Sequence, residues 1–310
     1  MAGRCQQPNP QADRGCQDRS HGQELRPCNR HRRRSEQRRY EPMAVPQAGL
    51  RGDHDDVGGE DHLDRLDRPN HEQLATDQQS ATYHQRISRD LTRPGRCDPT
   101  RWVLIGLHRR LTEAVEALPP GRLVVDFGCG LSPYRGLFQR RFASYLAIDL
   151  PGNPLADATL GPEGGMPLES NAADCVLSSQ VLEHVADPTA YLAEAFRVLR
   201  PRGHLVLSTH GHWTYHPDPT DYWRWTRDGL TRTIEHGGFT VKTVTSVLSL
   251  PSVALQFWLN STYRRMPRRL QPVYAWCVQM CIGWIERARR EEFSLDAADF
   301  VVVAQKPERG

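Results

Sequence analysis

The chain has 310 residues, 38% hydrophobic and 25% charged, with a formal net charge of +3. These figures exclude a membrane-spanning bundle, a collagen-like chain and a wholly disordered one, and the length allows about two domains at ~100–200 residues each. Only Lys242 and Lys306 are lysine among 40 basic residues, which reads as the codon bias of a GC-rich genome rather than as nucleic-acid binding.

Residues 1–74 contain no Ile, Phe or Trp, and Tyr40 is their only aromatic. Their charge is segregated: residues 1–40 carry 10 Arg against 4 acids, and residues 41–74 carry 3 against 9. Such a segment cannot bury enough apolar surface to offset its chain entropy. Residues 1–81 are therefore expected to be a disordered tail, either solvated or an artefact of a mis-assigned start, and residues 82–310 to form the folded domain. No apolar run follows Arg4, so no secretory leader is expected. The eight cysteines form no disulfide framework, because Cys5, Cys16 and Cys28 are widely spaced and Cys175 lies in an apolar run. A reduced, cytoplasmic protein is expected.

Residues 101–118 (RWVLIGLHRRLTEAVEAL) read as an amphipathic helix closed by Pro119-Pro120-Gly121. A strand at Arg122–Phe127 runs into the turn Gly128-Cys129-Gly130. Ser132 followed by Pro133 reads as a capped start of a helix through Tyr134–Arg141. Strands follow at Ser144–Asp149 and Asp174–Ser178. Asp187-Pro188 opens another helix, with Leu192, Ala195, Phe196 and Leu199 on one face. Pro201 and Gly203 are expected to break the chain before a strand at His204–Thr209. A helix at Thr226–His236, a strand at Phe239–Val247 and a last strand at Asp299–Gln305 complete the pattern. The alternation predicts an α/β fold: a Rossmann-like, open, mostly parallel sheet flanked by helices, with a helical insert (251–292) before the last strand.

The first strand, the Gly128-x-Gly130 turn and an acid, Asp149, 19 residues after Gly130 match half of a dinucleotide fingerprint. The third glycine of that fingerprint would fall at Pro133, which supplies neither close backbone approach nor a free N–H to a pyrophosphate. Asp126 would also repel phosphate. An adenosine ligand carrying a cationic ammonium and sulfonium suits both features, which points to S-adenosylmethionine rather than a nicotinamide dinucleotide.

Four segments in order resemble the class I S-adenosylmethionine-dependent methyltransferases, in particular the type 11 methyltransferase-domain group. They are VVDFGCGLSPY (124–134), YLAIDL (145–150), MPLESNAADCVLSSQVLEHVADP (166–188) and AFRVLRPRGHLVLSTH (195–210). In the last, Arg200-Pro201-Arg202-Gly203 departs from the family's Lys-Pro-Gly-Gly turn. The resemblance implies that Asp126 faces the methionine ammonium and that the Gly128, Cys129 and Gly130 backbone admits the methionine part. It places Asp149 on the ribose hydroxyls, Leu150 against the adenine, Asp157 near the adenine amino group and Gln180 beside the methionine.

The stretch 211–230 (GHWTYHPDPTDYWRWTRDGL) lies at a strand's carboxyl end, where substrate meets cofactor in such folds. His212, His216 and Asp221 are its candidate general bases for an oxygen acceptor, and Tyr222, Trp223 and Arg224 its substrate-side residues. An aromatic lid ordered by Arg224 and Asp221 is the other reading. A metal at His210, His212, His216 and Asp218 is not expected, because a sulfonium is a good leaving group without a Lewis acid. In the insert, Val273, Trp276, Cys277, Met280, Cys281 and Trp284 share one helix face between arginine clusters. Two occupants of that face stand open: packing on the domain or a second copy, and peripheral contact with the inner face of a membrane. The apolar run 272–285 is too short to span a bilayer, which needs ~20 residues. The expected activity is methyl transfer to an oxygen or nitrogen of a small-molecule or lipid-linked acceptor, with a non-catalytic S-adenosylmethionine-binding accessory protein as the alternative. No nucleic-acid partner is expected.

Overall fold

The computed structural model describes residues 87–217, 220–289 and 294–308. The tail expected over residues 1–81 lies outside the described residues, as does Asp218.

Helix α1 (Arg101–Ala117) ends ahead of Pro119, and Leu118 N–H donates back to the Val115 carbonyl. The strands β1 (Gly121–Phe127), β2 (Phe142–Asp149), β3 (Ala158–Thr159), β4 (Ala173–Ser179), β5 (Leu199–His210), β6 (Thr240–Val247) and β7 (Asp299–Gln305) form one sheet. Their order is β3-β2-β1-β4-β5-β7-β6, and β7 alone runs antiparallel to its neighbours β5 and β6. Consecutive strand residues point to opposite faces. Val124, Cys175, Val206 and Val301 therefore enter one core with α1, while Val125, Val176, Leu205, Leu207 and Val302 enter the other. Burial on both faces explains why β4 and β7 read as unbroken apolar runs. The chain winds from β1 outward to β3, then returns to β4 on β1's other side, which opens a crevice at the carboxyl ends of β1 and β4.

Helix α3 (Pro188–Val198) starts as its sequence dictates: the Asp187 carboxylate accepts from Thr189 N and Ala190 N at 2.9 and 3.1 Å, with Pro188 in the first turn. In α4 (Arg227–His236) Thr226 caps Gly229 N at 3.1 Å. Lys306, one of only two lysines, donates to the carbonyls of Phe196 and Leu199 and pins the end of β7 to the junction of α3 and β5.

Three expectations are corrected. Ser132 does not cap a helix; it adopts a left-handed φ of 46°, and α2 is a single turn, Arg135–Phe138. Strand β5 starts at Leu199, so Leu199 leaves the helix face assigned to it. Pro201 and Gly203 are absorbed in a bulge where Arg202 has φ 65° and the β4 register shifts between Ala173 and Cys175. Third, the insert is two helices, α5 (Leu250–Thr262) and α6 (Gln271–Ala288), and α6 is rotated from the apolar face read in the sequence. Its buried side is Ala275, Gln279, Ile282 and Gly283, whereas Val273, Trp276, Met280 and Trp284 are 44–73% exposed. Close approach decides this. The Gln279 amide accepts from Trp102 N and donates to Gln256 Oε1 and the Pro99 carbonyl. A Cβ on Gly283 would come within 2.4 Å of the Trp102 ring. Only a small residue lets α6 lie that close to α1.

Candidate functional site

The turn after β1 opens the crevice. Gly128 has φ 82°, and a Cβ there would meet Val181 Cγ2 at 2.7 Å, so only glycine fits. Its N–H and that of Cys129 both donate to the Ile148 carbonyl, which ties this turn to the end of β2. Gly130 has φ 50°, and a Cβ there would meet nothing within 4 Å, so the turn is open on that side. The Asp149 carboxylate accepts from Gly130 N at 2.9 Å and from Asn153 Nδ2 at 2.6 Å. Leu150, next to it, is exposed. Asp157 takes Arg135 at 3.0 Å and Ala147 N at 2.8 Å, both on Oδ2.

Beneath the turn, Asp126 is buried and accepts from the Tyr145 hydroxyl. Burial pushes its carboxyl up to about 7, and the nearby Asp149 charge adds to that, against the Tyr145 hydrogen bond. A buried carboxylate facing an open, phosphate-repelling turn fits a ligand with a cationic head, and the left-handed Ser132 and one-turn α2 leave no helix start for a pyrophosphate.

Gln180 follows β4 with φ 58°, its Nε2 donating to Ser208 Oγ at 3.2 Å. Non-glycine residues in this conformation are uncommon. Across β4 and β5 lies a second polar group. His210 ends β5 and Asp299 begins β7 directly opposite, with Nδ1 2.5 Å from Oδ1. Glu183, fully buried, accepts from Thr209 Oγ1 at 2.7 Å and lies 3.5 Å from His210 Nε2. The hydroxyl of buried Tyr134 is pushed up by burial and then by the charges of Asp299 and Asp126.

The loop after β5 covers this second group. Arg224 grips both oxygens of Asp221, at 2.6 and 2.5 Å, and also donates to the carbonyls of Trp213 and Thr214. Those bonds hold the Asp221 carboxyl well below its ordinary range, so it is a poor proton acceptor. His212 is half-exposed and turns to Asp296 at 2.9 Å. His216 lies with its ring edge-on to His210 at 4.9 Å and to His184 at 5.0 Å. Burial, then the neighbouring His210, lowers its pKa. Tyr222 and Trp223 are exposed, and Trp223 Nε1 donates to the Val185 carbonyl at 2.7 Å. Sequence reasoning passed over Glu183 and Asp299. Glu183 sat within a quoted motif, but only strand register places Asp299 opposite His210.

Residues 125–207 match the methyltransferase-domain family. Over these residues the chain resembles methyltransferase domains. The domain is 34% identical over 104 residues to an uncharacterized methyltransferase of Mycobacterium sp. (strain KMS), covering 31% of this chain and 41% of that one. It is also 34% identical over 108 residues to a ubiquinone biosynthesis O-methyltransferase of Hahella chejuensis, covering 30% of this chain and 45% of the relative. A 37.1 kDa protein in transposon TN4556 of Streptomyces fradiae is 34% identical over 112 residues, 31% of this chain and 32% of its own. The match thus spans 32–45% of the length of these curated relatives.

Proposed function

We propose that the chain transfers a methyl group from S-adenosylmethionine to an oxygen or nitrogen of a small-molecule or lipid-linked acceptor. The observation that carries this reading is the meeting of two unlike polar groups at the carboxyl ends of β1, β4 and β5. One, with Asp126 and Asp149 around an open glycine turn, suits a cationic nucleoside. The other, with three imidazoles meeting at the loop after β5, suits an acceptor that must give up a proton.

When bound, S-adenosylmethionine supplies an electrophilic methyl group with a good leaving group, so the protein's task is positioning and exclusion of water. In this reading Asp126 holds the methionine ammonium, and the Gly128, Cys129 and Gly130 backbone and Gln180 line the methionine. Asp149 takes the ribose hydroxyls, Leu150 lies against the adenine and Asp157 meets its amino group. Arg224 ties down the loop bearing Tyr222 and Trp223 over the acceptor. Of the three candidate bases, His216 alone lies against the buried His210, since His212 and Asp221 are engaged elsewhere.

The lipid-linked reading rests on the outer face of α5 and α6. Trp258, Val273, Trp276, Met280 and Trp284 are exposed there, and Arg264, Arg265, Arg268 and Arg269 are exposed at the turn between the helices. Contiguous apolar surface rimmed by cations suits an anionic lipid surface. No helix among the described residues is long and apolar enough to cross a membrane. The deciding experiment incubates the full chain and methyl-labelled S-adenosylmethionine with a cell extract. Label in a small-molecule or lipid fraction supports transfer; cofactor binding with no labelled product in any fraction overturns it in favour of an accessory protein.

A further inference from the structure

We propose that Glu183, His210 and His216 form a binding site for a first-row divalent metal ion, with Asp299 as the carboxylate behind His210. The role of the ion, holding an oxygen of the methyl acceptor, rests on the function proposed above; the site itself does not.

Glu183 supplies the first observation. Its Oε2 accepts from Thr209 Oγ1, while its Oε1 is buried and makes no hydrogen bond among the described residues. A fully buried carboxylate oxygen without a donor is costly and calls for a cation. His210 Nε2 stands 3.5 Å from Oε1, beyond a good hydrogen bond.

The second is the orientation of His210. Its Nδ1 is committed to Asp299 Oδ1 at 2.5 Å, which leaves Nε2 facing Glu183. An imidazole backed by a carboxylate on one nitrogen and open on the other is the arrangement of a metal-bound histidine. Asp299 is held by the β5–β7 ladder, so the ring's direction is set by the sheet rather than by a loop.

His216 completes the set. Its Nδ1 lies near the Thr214 carbonyl and Asp221, and its ring is edge-on to His210. One donor atom from each of Glu183, His210 and His216 lies within 4.8 Å of the others. Bonds of about 2.0–2.2 Å to one ion require closer spacing, which His216 can meet because it sits on the loop. His184, 5.0 Å away, is turned to the Thr220 carbonyl and stays outside the set.

Two imidazoles and one carboxylate suit zinc, iron or manganese, and three protein ligands leave positions open for an acceptor oxygen. The ion's charge would lower the pKa of a bound hydroxyl, whose proton passes to solvent. The sequence-level objection concerned the leaving group; here the ion acts on the acceptor.

The test uses the full chain, stripped with a chelator and titrated with Zn²⁺ by calorimetry in a Cys97→Ser, Cys277→Ser, Cys281→Ser background, since these three thiols, exposed among the described residues, are competing ligands. One Zn²⁺ per chain is expected, with Co²⁺ giving the absorption bands of a nitrogen–oxygen site. His216→Ala, on the loop, should weaken binding at least about 100-fold while melting temperature and S-adenosylmethionine affinity stay as in the parent. Asp299→Asn should weaken it by about 10–100-fold. A folded parent that takes up no stoichiometric Zn²⁺, or uptake unchanged in both His216→Ala and Glu183→Gln, overturns the site. Zn²⁺ uptake by a chain that transfers no methyl group would instead overturn the proposed function and leave the site standing.

Discussion

His210 and Asp299 face each other across the antiparallel β5–β7 ladder, both buried, with Nδ1 2.5 Å from Oδ1. The Asp299 charge and its hydrogen bond raise the imidazole's pKa against burial, the largest single influence, which lowers it. Removing one member of a buried pair leaves the other charge uncompensated, at a cost of about 3–5 kcal/mol. Asp299→Ala should therefore lower unfolding free energy on that order by denaturant titration, and Asp299→Asn by less, because the amide oxygen still accepts from Nδ1. Equal stability of Asp299→Ala and the parent would show that the pair is dispensable.

Asp149 sits where two turns meet. In the cofactor reading it hydrogen-bonds the ribose, each bond to a charged acceptor contributing about 1.5–3 kcal/mol. Asp149→Ala should weaken S-adenosylmethionine binding at least about tenfold by calorimetry, equivalent to ~1.4 kcal/mol. Unchanged affinity would remove Asp149 from the site.

Asp126 predicts a pH dependence. Its carboxyl moves from an ordinary 3.8 to about 7 in the folded chain, chiefly through burial. Between those values the folded state holds a proton that the unfolded state has lost. Its contribution to stability is thus complete below about pH 4, declines as pH rises, and levels off above about pH 7. Asp126→Asn removes this slope, so the variant should gain on the parent across that window, by up to about 1.4 kcal/mol per pH unit. Parallel stability curves from pH 4 to 7 would contradict it. Affinity for the ammonium-bearing cofactor should move oppositely, rising through pH 7 as the carboxyl ionises.

Helix α6 offers a contrast between its two sides. Gly283→Ala puts a Cβ within 2.4 Å of the Trp102 ring and should cost about 1–3 kcal/mol through overpacking. Trp276→Glu with Trp284→Glu, on the exposed side, should change stability by only about 0.5 kcal/mol per site. The same double change should abolish sedimentation with anionic liposomes, and added salt should weaken it in the parent. A parent that never sediments, or that sediments equally with neutral vesicles, would count against the lipid reading; a dimer lost in the double variant would assign the face to a second copy.

Local order was legible along the chain because it depends on neighbours in sequence. The β-branched run before Gly128, the Asp187-Pro188 start of α3, Thr226 at the head of α4 and the glycines after it each act through contacts within a few residues. The turn of Gly128–Gly130 and the spacing to Asp149 narrowed the ligand for the same reason. The long-range choices were not legible. An apolar stripe from Val273 to Trp284 shows that α6 has two sides, yet the side that packs was set by Gly283 against Trp102 and by Gln279 bridging to Gln256 and Pro99. The pairing of His210 with Asp299, 89 positions apart in sequence, follows from the register of an antiparallel strand inserted between β5 and β6. Composition and periodicity determined most of the strands and helices and singled out one turn as the candidate cofactor site. Only the tertiary structure decided which face is buried and which carboxylate stands behind which histidine, because both depend on how closely distant backbones can approach.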